Sequence, residues 1–214
     1  MSKPILYSAW TSSCSSRVRI ALALKKIDYE YHTVDIKTEE EMREFAMTNP
    51  AKKIPILKIN GLVLTESLAI IEYLDEVYPD PPLLPKDAGE RAHARAIAFH
   101  IASNIQPLQN KAIIHKLNEK VPGYGAEVMD QRRHLPWLRS PGRASEDVLW
   151  EYCVGDQITI ADLNLPSIVY NATDKYNVDI TPYPLICKIN KTLSEIPEFQ
   201  ASEPARQPDA PKKI

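Results

Sequence analysis

The nine residues PDPPLLPKD, positions 79–87, contain four prolines. Proline fixes φ and removes a backbone donor, so neither a helix interior nor a central strand can run through this stretch. It reads as an interdomain linker. The chain of 214 residues is long enough to form two small domains on either side of it. The expected division is 1–80, a linker at 81–87, and 88–214.

Before the linker, strand-like and helix-like segments alternate. PILYSAW is a short apolar run, and SRVRIALALKK after it is apolar almost all round, ending in two lysines suited to a helix C-terminus. YEYHTVDI is rich in β-branched and aromatic residues. TEEEMREFAMT has an acidic first turn, with Thr38 as its expected cap. In IPILKINGLVLT, Asn60-Gly61 signals a hairpin. ESLAIIEYLDEVY then puts Leu68, Ile71, Leu74, Val77 and Tyr78 near one helical face. The order is β-α-β-α-β-β-α.

After the linker the composition is helical over 88–120, 159–174 and 184–195, so the second domain is expected to be all-α. The tail from Pro197 is proline-rich and polar and reads as irregular. Thr159-x-x-Asp162 is a capping-box-like pair with Ile158 and Leu163 placed as a hydrophobic staple, a folding signal with no catalytic role. Residues 131–150 break the helical pattern with two prolines, a glycine, four arginines and two tryptophans. Two readings stand. One is a long surface loop, uncommon inside a compact domain. The other is a frame error or misread exon boundary over roughly 130–150, since permitted codons for RASEDVLW, shifted by one base, encode the helix-like Glu-Leu-Leu-Lys-Thr-Phe-Cys. The coding DNA decides between them.

The bulk numbers narrow the function. A net charge of −2 gives no reason to expect a nucleic-acid partner. No apolar run approaches the ~20 residues of a membrane span, and no secretory, ER-retention or common peroxisomal tripeptide signal is expected. Cys14, Cys153 and Cys187 are odd in number and widely spaced, which favours a reducing compartment. A cytoplasmic location is expected. The five histidines have no metal-ligand spacing, so no metal is expected. No glycine-rich phosphate loop is present.

Four stretches could carry chemistry. In SSCSSR, residues 12–17, Cys14 precedes a helix. Arg17 stands where a redox pair would need its second cysteine, which excludes a dithiol cycle. The helix N-terminus and Arg17 would lower a thiol pKa, whether of Cys14 or of a bound ligand, and would equally hold a carboxylate. Ser12 or Ser13 acting only as a helix cap is the simpler alternative. In KKIPILKI, a cis Ile54-Pro55 bond would make the Ile54 backbone a platform for a peptide-like ligand, although only ~5–6% of X–Pro bonds are cis. In TESLAI, Ser67 with its helix amides could receive a carboxylate and Glu66 an amino group, together matching an amino-acid head group. DQITIADLN is the folding signal described above.

These stretches, in this order, resemble the glutathione transferase superfamily. SSCSSRVRIALALK is similar to the signature of its zeta class, the maleylacetoacetate isomerases. NPAKKIP, SLAIIEYLDE, LLPKD, IQPLQN, YCVGDQITIADL, DITPYP and RQPD are similar to that class as well. The resemblance implies a thioredoxin-like α/β N-terminal domain and an all-α C-terminal domain, the glutathione transferase fold. It implies glutathione as cofactor, a small anionic substrate and a homodimer. The reaction implied is the isomerisation of maleylacetoacetate to fumarylacetoacetate in tyrosine and phenylalanine catabolism. Glutathione thiolate adds to the cis double bond, the resulting single bond rotates, and elimination returns the thiolate.

By position, the resemblance places Ser12, Ser13 and Cys14 around the glutathione sulfur. Ser13 hydrogen-bonds the thiolate, and Cys14 is a neighbour that shapes the site. Arg17 supplies positive charge. The Ile54 backbone, with Pro55 cis, pairs with the cysteinyl portion, and Glu66 and Ser67 hold the γ-glutamyl head. Gln106 and Asn110 reach the site from the helical domain. Two departures stand out. The family's Asn-Ala-x-Arg-Phe becomes NATDKYNVD, leaving Lys175 as the nearest cation for a substrate carboxylate, without the guanidinium fork. The family's Leu-Ser after IQPLQN becomes Lys111-Ala112. Two other readings remain: a general glutathione transferase acting by conjugation or α-halo acid dehalogenation, and a non-catalytic glutathione-binding protein.

Overall fold

The computed structural model describes residues 2–34, 39–123, 150–175 and 177–211. Thr38, and residues 130–149 of the anomalous segment, lie outside the described residues.

The first part of the chain forms β1 (Ile5–Ser8), α1 (Ser13–Leu24), β2 (Glu30–Thr33), α2 (Glu39–Thr48), β3 (Ile56–Ile59), β4 (Leu62–Leu64) and α3 (Ser67–Val77). The sheet order is β2-β1-β3-β4. β1 and β2 are parallel, as a crossover through α1 requires. β3 runs antiparallel to both β1 and β4. The β3–β4 turn is made by Asn60 (φ 52°) and Gly61 (φ 78°). Two consecutive left-handed residues match the right-handed twist of a tight hairpin, which is why Asn-Gly stands there.

α1 is buried around nearly its whole circumference: Val18, Ile20, Ala21 and Leu22 are at most 1% exposed. Its end is a Schellman turn. Lys26 N–H donates to the Ala23 carbonyl (3.0 Å) and Ile27 N–H to that of Leu22 (2.9 Å). Lys26 takes the left-handed position (φ 55°) usually given to glycine. Lys25 is buried rather than facing the helix terminus. Its ammonium donates to Asp75 Oδ1 and the Pro81 carbonyl, both at 2.6 Å. On α3 the buried stripe is Ile70, Ile71 and Leu74. Val77, expected on the inner face, is 46% exposed, so that face is rotated from the one drawn from periodicity.

The second part forms α4 (Ala88–His100), a π turn (Ile101–Ile105), a 3-10 turn (Gln106–Gln109), α5 (Lys111–Lys120), α6 (Ile160–Tyr170), a second π turn (Asn171–Lys175) and α7 (Pro184–Ser194). α6 begins with a complete capping box. Asp162 Oδ2 accepts from Thr159 N–H (2.8 Å) and its hydroxyl (3.0 Å), while Oδ1 accepts from Cys153 N–H (2.8 Å). Burial raises the Asp162 pKa, and these hydrogen bonds oppose the rise.

Packing divides the chain differently from sequence order. One unit is Met1–Leu83 together with Ile196–Ile214, and the other is Leu84–Glu195. The tail expected to be irregular and placed with residues 88–195 instead joins the first unit. It does so through α8 (Pro197–Gln200) and a 3-10 turn (Pro204–Arg206), with Phe199 5% exposed. The linker is also fastened down at its start, where Leu83 N–H donates to Asp75 Oδ1 (2.7 Å).

Candidate functional site

Sheet register brings three of the candidate stretches to one end of the first unit. β1 ends at Ser8 and leads into α1. β3 is antiparallel with Ile56 opposite Tyr7, so Ile54 and Pro55 lie just beyond, level with that same end. β4 runs back with Leu64 opposite Leu57, so Glu66 and Ser67 follow past the same edge. The β1–α1 loop, the residues before β3 and the start of α3 are therefore neighbours by topology.

Ser12 is the N-cap of α1, and its side chain accepts the Ser15 N–H at 3.1 Å. The capping role weighed for this pair thus falls on Ser12. Ser13, the first helical residue, is 6% exposed and leaves its hydroxyl uncommitted to the cap. Cys14 is half-buried and free. One turn on, Arg17 is fully buried (0% exposed). Its Nη2 reaches Cys14 Sγ at 3.9 Å, a weak contact. Nε and Nη1 have no hydrogen-bond partner among the described residues. Burial lowers the Arg17 pKa, and the nearby Cys14 opposes this. A buried cation with two orphaned donors is costly on its own, and its charge favours an anion bound at the start of α1.

The Ile54–Pro55 bond is cis, as the resemblance implies. Among the described residues neither the N–H nor the C=O of Ile54 makes a main-chain hydrogen bond. Glu66 stands at φ 64°, ψ 109° and gives α3 no side-chain cap, so the first amides of that helix are open to a ligand carboxylate. A non-glycine residue held at positive φ is the kind of strain found at ligand clamps. Ser67 is 7% exposed.

In the second unit, Gln106 opens the 3-10 turn and is half-buried. Asn110 follows the turn, and its carbonyl accepts from the N–H groups of Ile113 and Ile114, starting α5. The side chains of Lys111 and Ala112 lie outside the described residues. The better-buried amide is Gln109, whose Oε1 accepts from Asn171 Nδ2 at 3.3 Å. That bond ties the turn carrying Gln106 and Asn110 to the π turn that ends at Lys175, which is exposed. π turns recur at functional sites, and neither of these two left a local sequence signal.

Comparison with known proteins bears on the family and the fold. The family profile "Glutathione S-transferase, N-terminal domain" matches residues 2–76. A probable maleylacetoacetate isomerase of Caenorhabditis elegans is 50% identical, covering 97% of this chain and 96% of its own length. A maleylacetoacetate isomerase from Anaeromyxobacter dehalogenans, solved with glutathione bound in its active site, has a TM-score of 0.82. It is 37% identical, with 98% of each chain covered. A maleylpyruvate isomerase described as a zeta-class bacterial glutathione S-transferase has a TM-score of 0.81 at 34% identity, covering 97% of this chain and all of its own. Full-length identity at this level, on the same α/β-plus-helical architecture, means that the chain belongs to the zeta class of the glutathione transferases, the maleylacetoacetate isomerase family.

Proposed function

We propose that this protein catalyses the glutathione-dependent cis–trans isomerisation of maleylacetoacetate to fumarylacetoacetate, in the breakdown of tyrosine and phenylalanine. Of the structural observations, the one that carries this reading is the buried guanidinium of Arg17, two of whose nitrogens lack partners among the described residues at the start of α1. Glutathione supplies a thiol nucleophile that makes the double bond transiently rotatable and is regenerated. The residues present fit it. The open amides of α3 with Ser67 suit the γ-glutamyl carboxylate, and Glu66 suits its amino group. The Ile54 backbone suits the cysteinyl amide.

At the reacting end, the Ser13 hydroxyl and the first amides of α1 hold the sulfur in its ionised form. Arg17 stabilises negative charge that develops as the nucleophile adds, without having to reorganise at that moment. Cys14 borders the sulfur and takes no obligatory part. Lys175 is the proposed receptor for a substrate carboxylate, with Gln106 and Asn110 as proposed ligand contacts, and these three assignments rest on position in the family motifs. The reading extends to a cytoplasmic homodimer. It is supported by the three free cysteines and by Leu62, Val63 and Val77, apolar residues exposed on the first unit.

The test is purified full-length protein with maleylacetone and glutathione. Isomerisation without net loss of glutathione is the expected result. Net conjugation would support a general transferase instead. Glutathione binding with neither reaction would support a non-catalytic binding protein.

A further inference from the structure

The family-like motif RQPD, residues 206–209, has no part in the function proposed above, yet its aspartate reaches the loop from which the catalytic helix starts. Between β1 and α1, three successive residues are held by groups remote in sequence. Arg19 Nη1 donates to Ser8 Oγ at 3.0 Å and to the Ala9 carbonyl at 3.4 Å. Trp10 N–H donates to Asp209 Oδ2 at 2.9 Å. The holding groups are linked to the tail in turn. Arg19 Nη2 donates to the Ser202 carbonyl at 3.1 Å, and Tyr31 donates its hydroxyl to Asp209 Oδ1 at 2.7 Å. Arg19 is 1% exposed, although it lies on a helix one would expect to be lined by apolar residues.

The tail is braced so that it can bear on this loop. Gln207 Nε2 donates to the carbonyls of Ala201 and Glu203, both at 2.9 Å. Ser202 Oγ donates to the Glu198 carbonyl at 3.2 Å. On the other side, the Ala9 carbonyl accepts Ser12 N–H at 3.0 Å, and Ser12 caps α1 through Ser15 N–H. An unbroken series of short bonds and adjoining residues therefore runs from Asp209 through Trp10 and Ala9 to Ser12, next to Ser13.

The geometry points to Asp209 and Arg19 as positioning residues of the glutathione site. The segment 196–211 straps the Ser8–Ser12 loop and sets where Ser12, Ser13 and Cys14 are presented. Neither residue touches the reacting atoms. They act by fixing the loop, because a hydroxyl aimed at a thiolate works only within a narrow range of position, and misplacement by ~1 Å costs on the order of a hundredfold. The inference rests on Ser13 and the α1 amides holding the glutathione sulfur.

The experiment compares the full-length protein with Asp209→Ala, Tyr31→Phe and Glu203→Ala. For each, the bound thiol is titrated by thiolate absorbance, and kcat and both KM values are measured with maleylacetone. Asp209→Ala is expected to raise the pKa of bound glutathione by about one unit and to lower kcat about tenfold or more, with the maleylacetone KM changed less than about twofold. Tyr31→Phe removes one of the two ties on Asp209 and is expected to move both quantities the same way by a smaller step. Glu203→Ala breaks only the surface pair with Arg206 and is expected to change neither. An Asp209→Ala protein that melts lower but keeps the wild-type thiol pKa and kcat would overturn the inference, leaving the strap a matter of stability alone. If Asp209→Ala cannot be obtained folded, Tyr31→Phe decides, and wild-type values there overturn the inference. Failure of the unaltered protein to bind glutathione would sink the functional reading and this inference together, an outcome distinct from the others.

Discussion

Replacing Arg17 with methionine tests whether this guanidinium exists for the ligand or for the fold. Methionine keeps the unbranched stem and a similar helix propensity, and it removes the charge. Arg17 is 0% exposed, its Nη2 has only a 3.9 Å contact with Cys14 Sγ, and Nε and Nη1 are unpartnered among the described residues. Each orphaned buried donor costs about 1–3 kcal/mol. Exchange of buried ionic groups for apolar ones of similar size commonly stabilises by about 1–4 kcal/mol. Arg17→Met is therefore expected to stabilise the ligand-free protein by about 2 kcal/mol. At roughly 2–4 °C per kcal/mol for a chain of this size, its melting temperature rises by about 4–8 °C. With ligand the sign reverses. Loss of the positive charge buried beneath the start of α1 is expected to weaken glutathione or substrate-analogue binding by roughly tenfold, about 1.4 kcal/mol. The assay is thermal melting with and without glutathione, together with calorimetric titration. Ligand-induced stabilisation should shrink in the variant because it follows ln(1 + [L]/Kd) and Kd is larger. A variant that melts well below wild type yet binds glutathione as tightly would show that Arg17 serves the fold, and the assignment of an anion to it would fail.

Cys14→Ala is expected to keep most isomerase activity, measured with maleylacetone; loss of turnover with glutathione still bound would restore Cys14 as the nucleophile. Lys175→Arg replaces a point charge with a bidentate donor and is expected to raise kcat/KM about tenfold, equivalent to roughly 1.4 kcal/mol; no gain would remove Lys175 from the substrate site. Lys26→Gly relieves a left-handed residue at the end of α1 (φ 55°) and is expected to stabilise by about 1 kcal/mol in denaturant or thermal unfolding. The Tyr31 phenol is pushed up to about 12, with burial the largest cause. Because the folded state holds that proton more tightly than the unfolded chain, its stabilisation is whole below about pH 10 and is lost as pH rises towards 12. Tyr31→Phe is accordingly expected to show a shallower alkaline decline in melting temperature, and an identical decline would argue against that burial.

The parts of this fold that sequence made legible are those in which one local pattern has one physical outcome. Asn60-Gly61 permits two consecutive left-handed residues and so closes a hairpin. Thr159 and Asp162 satisfy each other's backbone across one turn and so start a helix. What stayed hidden depends on partners far apart in the chain. Lys25, which reads as a helix-end lysine, is a buried cation because Asp75 and the Pro81 carbonyl meet it. The face of α3 shifted for a related reason: Leu68, Ile70, Ile71, Leu74 and Val77 are all apolar enough to face inward, and tertiary packing selected among them. At the site, SSCSSR announced a helix N-terminus, but no pattern announced that Arg17 would be buried with unpartnered nitrogens. The π turns that end at Ile105 and Lys175 likewise have no local signature.

The tail carries this furthest. The family profile ends at residue 76, and the sequence places everything after the linker with the helices. Yet two of the ties on the Ser8–Trp10 loop come from Asp209 and, through Arg19, from Ser202. Residues Met1–Leu83 and Ile196–Ile214 thus form one unit, with the helical segment inserted between them in sequence. A chain cut at the proline-rich linker retains every residue proposed to contact glutathione in the first unit and loses the groups that hold the start of α1. It also takes the tail carbonyl from Arg19, and the carboxylate from Trp10 N–H and the Tyr31 hydroxyl. Hydrogen bonds of this kind, exchanged for water, are worth about 0.5–1.5 kcal/mol each. Together they are an appreciable part of the roughly 5–15 kcal/mol by which a domain is ordinarily stable. The glutathione contacts proposed within the first 83 positions are therefore expected to need residues 196–211, which tie down the loop that presents Ser12 and Ser13.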